Sequence, residues 1–149
     1  MSGMSCLFCR IVTGEEPAHL VLEREGVVGF LDTRPVFKGH VLLVPRRHVD
    51  TLTELPDDLV VPLFGAAREV AAAVRTALGA QGSFVAMNNV VSQSVPHLHV
   101  HVVPRTKGDG LRGFFWPRTR YAGTQAAEHA ARLRAALDPR TPTDAVRGS

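Results

Sequence analysis

From Val95 to Pro104 the chain reads Val-Pro-His-Leu-His-Val-His-Val-Val-Pro, so three of its seven histidines, His97, His99 and His101, fall at every second position. In an extended strand successive side chains point to opposite faces. The three imidazoles therefore share one face, and Leu98, Val100 and Val102 share the other. Lining a strand face with titratable rings is costly unless each ring has a partner. The stretch asks for a sheet with one packed face and one face free for chemistry.

The remaining composition narrows the setting. At 149 residues the chain falls in the range of one domain and is long enough to close a core without disulfides. With 45% hydrophobic and 21% charged residues it reads as an ordinary globular protein. The formal charge is only +3, and arginine is spread along the chain apart from the run Arg112 to Arg120. That balance suits a phosphate-bearing small ligand and gives no reason to expect nucleic acid. No apolar run nears the roughly 18 residues of a membrane span, since Val41 to Val44 is stopped by Pro45. Met1 to Cys6 lacks the basic and apolar regions of a secretory signal, so a cytoplasmic location is expected. The two cysteines, Cys6 and Cys9, are too close together to staple a fold; in a reducing compartment they point to a metal or a redox pair.

Taken in order, His19–Glu23 and Val27–Asp32 are β-rich runs around Arg24-Glu25-Gly26, a hairpin with glycine at the turn. His40–Pro45 is a buried strand by its unbroken apolar run, and His48 follows just past its end. From Leu55 the period changes: Leu59, Leu63, Ala67, Val70, Val74 and Leu78 recur at helical steps, with Pro56 and Asp57-Asp58 at the start and Gly79 at the stop. Pro62 inside the pattern predicts a kink or a restart of the helix, and with it an irregular first turn. Ser83–Met87 reads as a strand, the polar turn Asn88 to Ser94 leads into the histidine stretch, and Gln125–Leu137 is Ala-rich and helical. Residues 1–138 are expected to form one domain with a C-terminal extension, and 139–149 a frayed tail.

All three histidines cannot share one metal, because strand positions i and i+4 lie roughly 13 Å apart. A division of labour is more economical. Cys6-x-x-Cys9 is half of many zinc sites, and His48 with His97 would complete a closed Cys2His2 sphere, which leaves no position for water and is therefore structural. Two buried small residues are the plain alternative for the cysteines. His99 is then the natural nucleophile, one ring nitrogen attacking while the other donates to a fixed acceptor. His101 can hydrogen-bond a phosphoryl oxygen or assist the leaving group, and Gln93 and Ser94 can donate to charge developing on phosphate.

These pieces resemble the histidine-triad (HIT) family of nucleotide-binding proteins. The resemblance runs from Cys6 to Pro104 through C-x-F-C-x-I, an apolar-Asp segment, G-H-x-apolar-P-x-x-H, a helix and His97-Leu98-His99-Val100-His101. It implies an α+β fold: a five-stranded antiparallel sheet with one long and one shorter helix, usually paired as a homodimer through the long helix and edge strands. It also implies hydrolysis at the α-phosphate of adenosine phosphoramidates, acyl-adenylates or dinucleoside polyphosphates through a nucleotidyl-histidine at His99. By the same match Phe8, Ile11, Phe30 and Leu31 are the base pocket, Asp32 takes the ribose hydroxyls, and Asn88, Gln93 and Ser94 form the phosphate loop. Cys6, Cys9, His48 and His97 are the zinc ligands of the zinc-bearing branch. The loop before Gln93 is about two residues shorter than the family pattern and lacks its glycines, which leaves open whether Asn88 or Asn89 faces the phosphate. Trp116 stands where some relatives place a tryptophan near the partner's active site. A non-catalytic nucleotide-binding or zinc-sensing module is the alternative to an enzyme.

Overall fold

The structure, a computed structural model, describes residues 5–112 and 117–137. Two compact units make up the chain, Met1–Gly110 and Leu111–Ser149. In the first, α1 (Leu7–Thr13) precedes the hairpin β1 (Leu20–Arg24) and β2 (Val27–Leu31), then β3 (Val41–Pro45), a 3-10 turn at Leu52–Glu54, the long α2 (Asp57–Leu78), β4 (Gly82–Ala86) and β5 (Val100–Arg105). The second holds α3 (Gln125–Leu137), which matches the expected helix residue for residue. Trp116 and the tail 139–149 lie outside the described residues.

The five strands form one antiparallel sheet in the order β1-β2-β3-β5-β4. This is the α+β arrangement implied by the resemblance, with α1 and α2 as its short and long helices. One face of the sheet is covered by α2. Its stripe of Leu59, Leu63, Ala67, Val70 and Val74 packs against Leu43, Leu98, Val100 and Val102, which are all buried. The helical period of one segment thus meets the period-two pattern of the others in one core. On the opposite face Phe8 of α1 packs with Val28, Phe30, Leu42 and Val44. β2 and β3 are buried on both faces, which explains why they read as unbroken apolar runs.

Two details depart from the sequence reading. The ladder of β5 begins at Val100, so His97 and His99 lie in its lead-in rather than within the strand. Here the His97 N–H bonds the Val95 carbonyl and the Leu98 N–H bonds the Val49 carbonyl at 2.7 Å, so these amides serve a turn and a loop crossing. The two-faced alternation survives, with Leu98, Val100 and Val102 in the α2 core and the histidines opposite. The helix α2 runs through Pro62, which lacks only the N–H that would meet the Asp58 carbonyl. The expected restart is therefore absent, α2 being one continuous helix from Asp57 to Leu78, and the Leu59 N–H bond to the Pro56 carbonyl at 3.0 Å is the ordinary tightening of a helix N-terminus.

Gly39 brings the chain into β3. Its φ is +97°, and a Cβ there would meet Leu78 Cδ1 at 2.4 Å. Gly39→Ala is expected to lower stability by about 1–3 kcal/mol, chiefly from the forced backbone conformation, as measured by urea denaturation.

Candidate functional site

The sheet face opposite α2 carries a cavity of about 640 Å³, a size that suits a small-molecule ligand. Its apolar end is lined by Phe8 and Ile11 from α1 and by Phe30 and Leu31 from β2, and its polar end by Asp32, Ser94, His99 and His101. Eight of the residues expected around a substrate therefore line one space. Asn88 and Gln93 do not line it.

The histidines have separate partners, and each partner sets a tautomer. His99 is buried, its ring edge-on to Phe8 with centroids 5.0 Å apart. Its Nδ1 lies 2.8 Å from the carbonyl of His97, which can only accept, so Nδ1 carries the proton. The lone pair of the neutral ring then sits on Nε2. The ring is held in the tautomer a nucleophile needs.

His101 is reached through His40, which the sequence reading left without a role. The Val36 N–H donates to His40 Nδ1 at 3.1 Å, so His40 must carry its proton on Nε2, 2.9 Å from His101 Nδ1. His101 accepts there and presents Nε2–H as a donor. Burial, and after it the neighbouring His99 and His40, push His101 down from an ordinary 6.5 to about 4, with Asp32 acting in the opposite direction. Burial likewise lowers His40, again opposed by Asp32. Both rings are neutral near pH 7, as the chain of donors requires. The signal for His40 was present in the G-H motif, but a histidine at the head of an apolar strand cannot be told from a packed one without its partner. Asp32, His40 and His101 also lie close enough to suggest a metal site. A cation on His40 Nε2 would have to displace the ring's last proton, since Nδ1 already accepts from Val36, so the cluster is better read as a proton-holding chain.

Asp32 Oδ1 accepts the Arg34 N–H at 2.8 Å, and its other oxygen stands 3.7 Å from His40 Nδ1. The Arg34 N–H holds the carboxylate at the cavity edge, while the unprotonated His40 Nδ1 gives it no hydrogen bond. Arg34, which also lines the cavity, was not singled out from sequence.

At the inner end of the site Cys6, Cys9, His48 and His97 bring four ligand atoms within 4.8 Å of one another. With arms of about 2.1 Å to nitrogen and about 2.3 Å to sulfur, the edges of a tetrahedral zinc site are roughly 3.4–3.8 Å. Cys6 Sγ to His97 Nδ1 is 3.4 Å, Cys9 Sγ to the same nitrogen 3.5 Å, and Cys9 Sγ to His48 Nδ1 3.2 Å, close to three such edges. The outer nitrogens are spoken for: His97 Nε2–H donates to the Pro45 carbonyl at 2.8 Å and His48 Nε2–H to Asp50 Oδ1 at 2.7 Å. Both Nδ1 lone pairs are thus free to face a metal, the arrangement in which outer partners orient ligating histidines. Burial, then Cys6, pushes the Cys9 thiol up to about 11, so ionising Cys9 calls for a balancing cation. The donor set fits zinc. Asp50 is the supporting residue the sequence reading missed.

The loop before the triad is strained. Val90 has φ +68° and Ser92 +62°, left-handed conformations that cost about 1–3 kcal/mol each in non-glycine residues, and most in a β-branched one. Asn89 Oδ1 accepts the Leu52 N–H at 2.7 Å, so its carbonyl is committed to the scaffold. Gln93 is committed at both ends: Nε2 donates to the Asp50 carbonyl at 2.6 Å and Oε1 accepts the Val90 N–H at 2.9 Å.

A five-stranded sheet carrying three separately partnered histidines beside a Cys2His2 cluster defines the class of protein, and comparison with known proteins gives it the same name. The HIT domain model matches residues 13–108, well over half the chain, and this protein belongs to the HIT family. An uncharacterized HIT-like protein of Methanocaldococcus jannaschii is 40% identical over 107 residues, covering 70% of this chain and 82% of the relative. The adenosine 5′-monophosphoramidase of Schizosaccharomyces pombe is 33% identical over 116 residues, covering 76% and 84%. A zinc-bound histidine triad family protein from Mycobacterium smegmatis, known from a crystal structure, superposes with a TM-score of 0.71 at 37% identity, covering 91% of this chain and 99% of its own. Among the described residues no helix is long and apolar enough to cross a membrane.

The neutral state of His101 carries a stability signature. Its proton affinity is lower in the fold than in the unfolded chain, so between about pH 4 and 6.5 the unfolded chain binds more protons. The stability from a neutral His101 is full above pH 6.5 and is lost as pH falls toward 4. The thermal midpoint of wild type should therefore drop over this window more steeply than that of His101→Gln, in which only the remaining groups titrate.

Proposed function

We propose that this protein is a nucleotide hydrolase acting at the α-phosphate of adenosine nucleotides: phosphoramidates, acyl-adenylates or dinucleoside polyphosphates. The observation that carries this reading is the His99 ring, fixed by the His97 carbonyl with its Nε2 lone pair free beside a nucleotide-sized cavity. The base would lie among Phe8, Ile11, Phe30 and Leu31, and the ribose hydroxyls would donate to Asp32. His99 Nε2 attacks phosphorus, the bond from phosphorus to the leaving group breaks, and the leaving amine or acid departs, the amine taking its proton from water. A water then attacks the nucleotidyl-His99, the phosphorus–nitrogen bond to the ring breaks, and nucleoside monophosphate leaves. His101 Nε2–H and the Ser94 hydroxyl donate to the phosphoryl oxygens as their charge grows. Neither asparagine is assigned to the phosphate: Asn89 is committed to Leu52 through its Oδ1, and Asn88 does not line the cavity.

Zinc is assigned to Cys6, Cys9, His48 and His97 as a structural ion in a closed sphere. When bound there it would cross-link α1, the segment after β3 and the start of the triad, with no part in the bond-making steps. A homodimer is proposed through the edge strand β4, with Val85 exposed, and the face of α2 bearing Val61 and Phe64.

His99→Ala is expected to lower kcat for adenosine 5′-phosphoramidate by at least about 1,000-fold and to abolish any nucleotidyl adduct trapped for mass spectrometry. Turnover retained in that variant would remove the nucleophile assignment. Metal analysis of purified protein should find one zinc per chain, and chelation should lower the thermal midpoint; Cys9→Ser should lose the ion.

A further inference from the structure

The strained loop and the cysteine-histidine cluster are joined by a short series of hydrogen bonds that neither role so far explains. His48 Nε2 bonds the Asp50 side chain at 2.7 Å, and the Asp50 carbonyl accepts Gln93 Nε2 at 2.6 Å. The other end of the Gln93 amide holds the Val90 N–H at 2.9 Å, at the residue with the most unfavourable backbone in the loop. Leu52 N–H to Asn89 Oδ1 at 2.7 Å and Leu98 N–H to the Val49 carbonyl at 2.7 Å fasten the loop and the triad lead-in to the same turn, residues 49–52. Ser94, one residue past Gln93, lines the cavity. His97, three residues further on, is again a cluster ligand. The chain from Asn89 to His97 is thus anchored at one end to residues 50–52, just past the cluster residue His48, and at the other to the cluster itself through His97, with the phosphate-facing residue between the anchors.

We propose that Gln93 is a positioning residue rather than a phosphate ligand: its amide clasps the strained loop to the turn after His48, and so links zinc occupancy of the Cys2His2 cluster to the affinity of the cavity for a nucleotide phosphate. The inference rests on the zinc and nucleotide assignments above. With zinc bound, His48 is fixed, Asp50 is fixed by it, and Gln93 finds its acceptor in place. Without zinc the turn loosens, the clasp opens, and Val90 and Ser92 relax out of their left-handed conformations, taking Ser94 away from the cavity. Linkage is reciprocal, so a nucleotide that needs the ordered loop tightens zinc by the same factor. The shortened, glycine-free loop gives the reason for a clasp: with valine and serine in these conformations, the loop needs an external hold.

The test is a thermodynamic cycle with AMP as the probe. AMP affinity is measured by calorimetry on zinc-loaded and chelator-stripped protein, and zinc affinity by chelator competition with and without AMP. The measurements are made for wild type, for Gln93→Met, which keeps the size and loses both hydrogen bonds, and for Gln93→Glu, which keeps the acceptor for Val90 and loses the donor to Asp50. The expected result is a coupling factor on the order of 10 in wild type, the same from either direction, and close to one in both variants, with one zinc per chain throughout. A direct phosphate contact would instead weaken AMP by one factor whether zinc is present or absent and leave the coupling intact, which overturns the proposal. For a stripped chain that does not fold, amide exchange on the zinc-loaded proteins decides: the Leu52 and Val90 amides should exchange at least about 10-fold faster in Gln93→Met than in wild type, and equal rates overturn the clasp. Wild type that takes up no zinc, or that binds no AMP when zinc-loaded, overturns the metal or the nucleotide assignment and the linkage with it. Either result differs from failure of the clasp alone, in which both ligands bind and Gln93→Met still couples them.

Discussion

The buried imidazole of His97 is the joint on which the rest of the site depends. One ring nitrogen donates to the carbonyl of Pro45 at the end of β3, the other faces the sulfurs of Cys6 and Cys9 at the start of α1, and its own backbone carbonyl fixes the proton on His99. It is fully buried, so each of these contacts is made away from water, where an unmatched polar atom is costly. The imidazole thus ties the start of the first helix, the end of β3 and the ring of His99 together at one buried point. Among the described residues no buried side-chain nitrogen or oxygen is left without a partner, which is the condition for so many imidazoles in one core.

The same logic runs along the sheet. His97, His99 and His101 face three environments: sulfur, the aromatic edge of Phe8, and a second imidazole. A carbonyl or a backbone N–H at the far end of each set of contacts decides which nitrogen holds the proton. One residue type is thus placed in three environments that differ only in what each ring touches, while the opposite face of the stretch is ordinary apolar packing under α2.

Much of this was legible beforehand because it depends on periodicity and spacing. The two-residue alternation around His99, the helical stripe from Leu59 to Val74 and the close pair Cys6 and Cys9 are local patterns, and local patterns survive into the fold. His40 and Asp50 were not legible. Their roles consist of one contact each to a residue distant in sequence or in an irregular turn, and no spacing announces such a contact. The loop from Asn88 to Ser94 is a further case. Its shortness could be read, but that Asn89 and Gln93 turn their side chains back onto residues 50–52 is a matter of where the chain crosses itself.

The sequence by itself determined that the chain builds a sheet with one apolar and one histidine-bearing face, that it includes one long amphipathic helix, and that two thiols stand ready near the start of the chain. Only the tertiary structure decided which nitrogen of each imidazole carries the proton, that His40 rather than an acid orients His101, and that Gln93 faces the scaffold instead of the cavity. The physical reason is the range of the interaction. Hydrophobic period is a property of neighbouring residues, whereas a tautomer or a clasp is set by a donor or acceptor that folding brings from elsewhere in the chain.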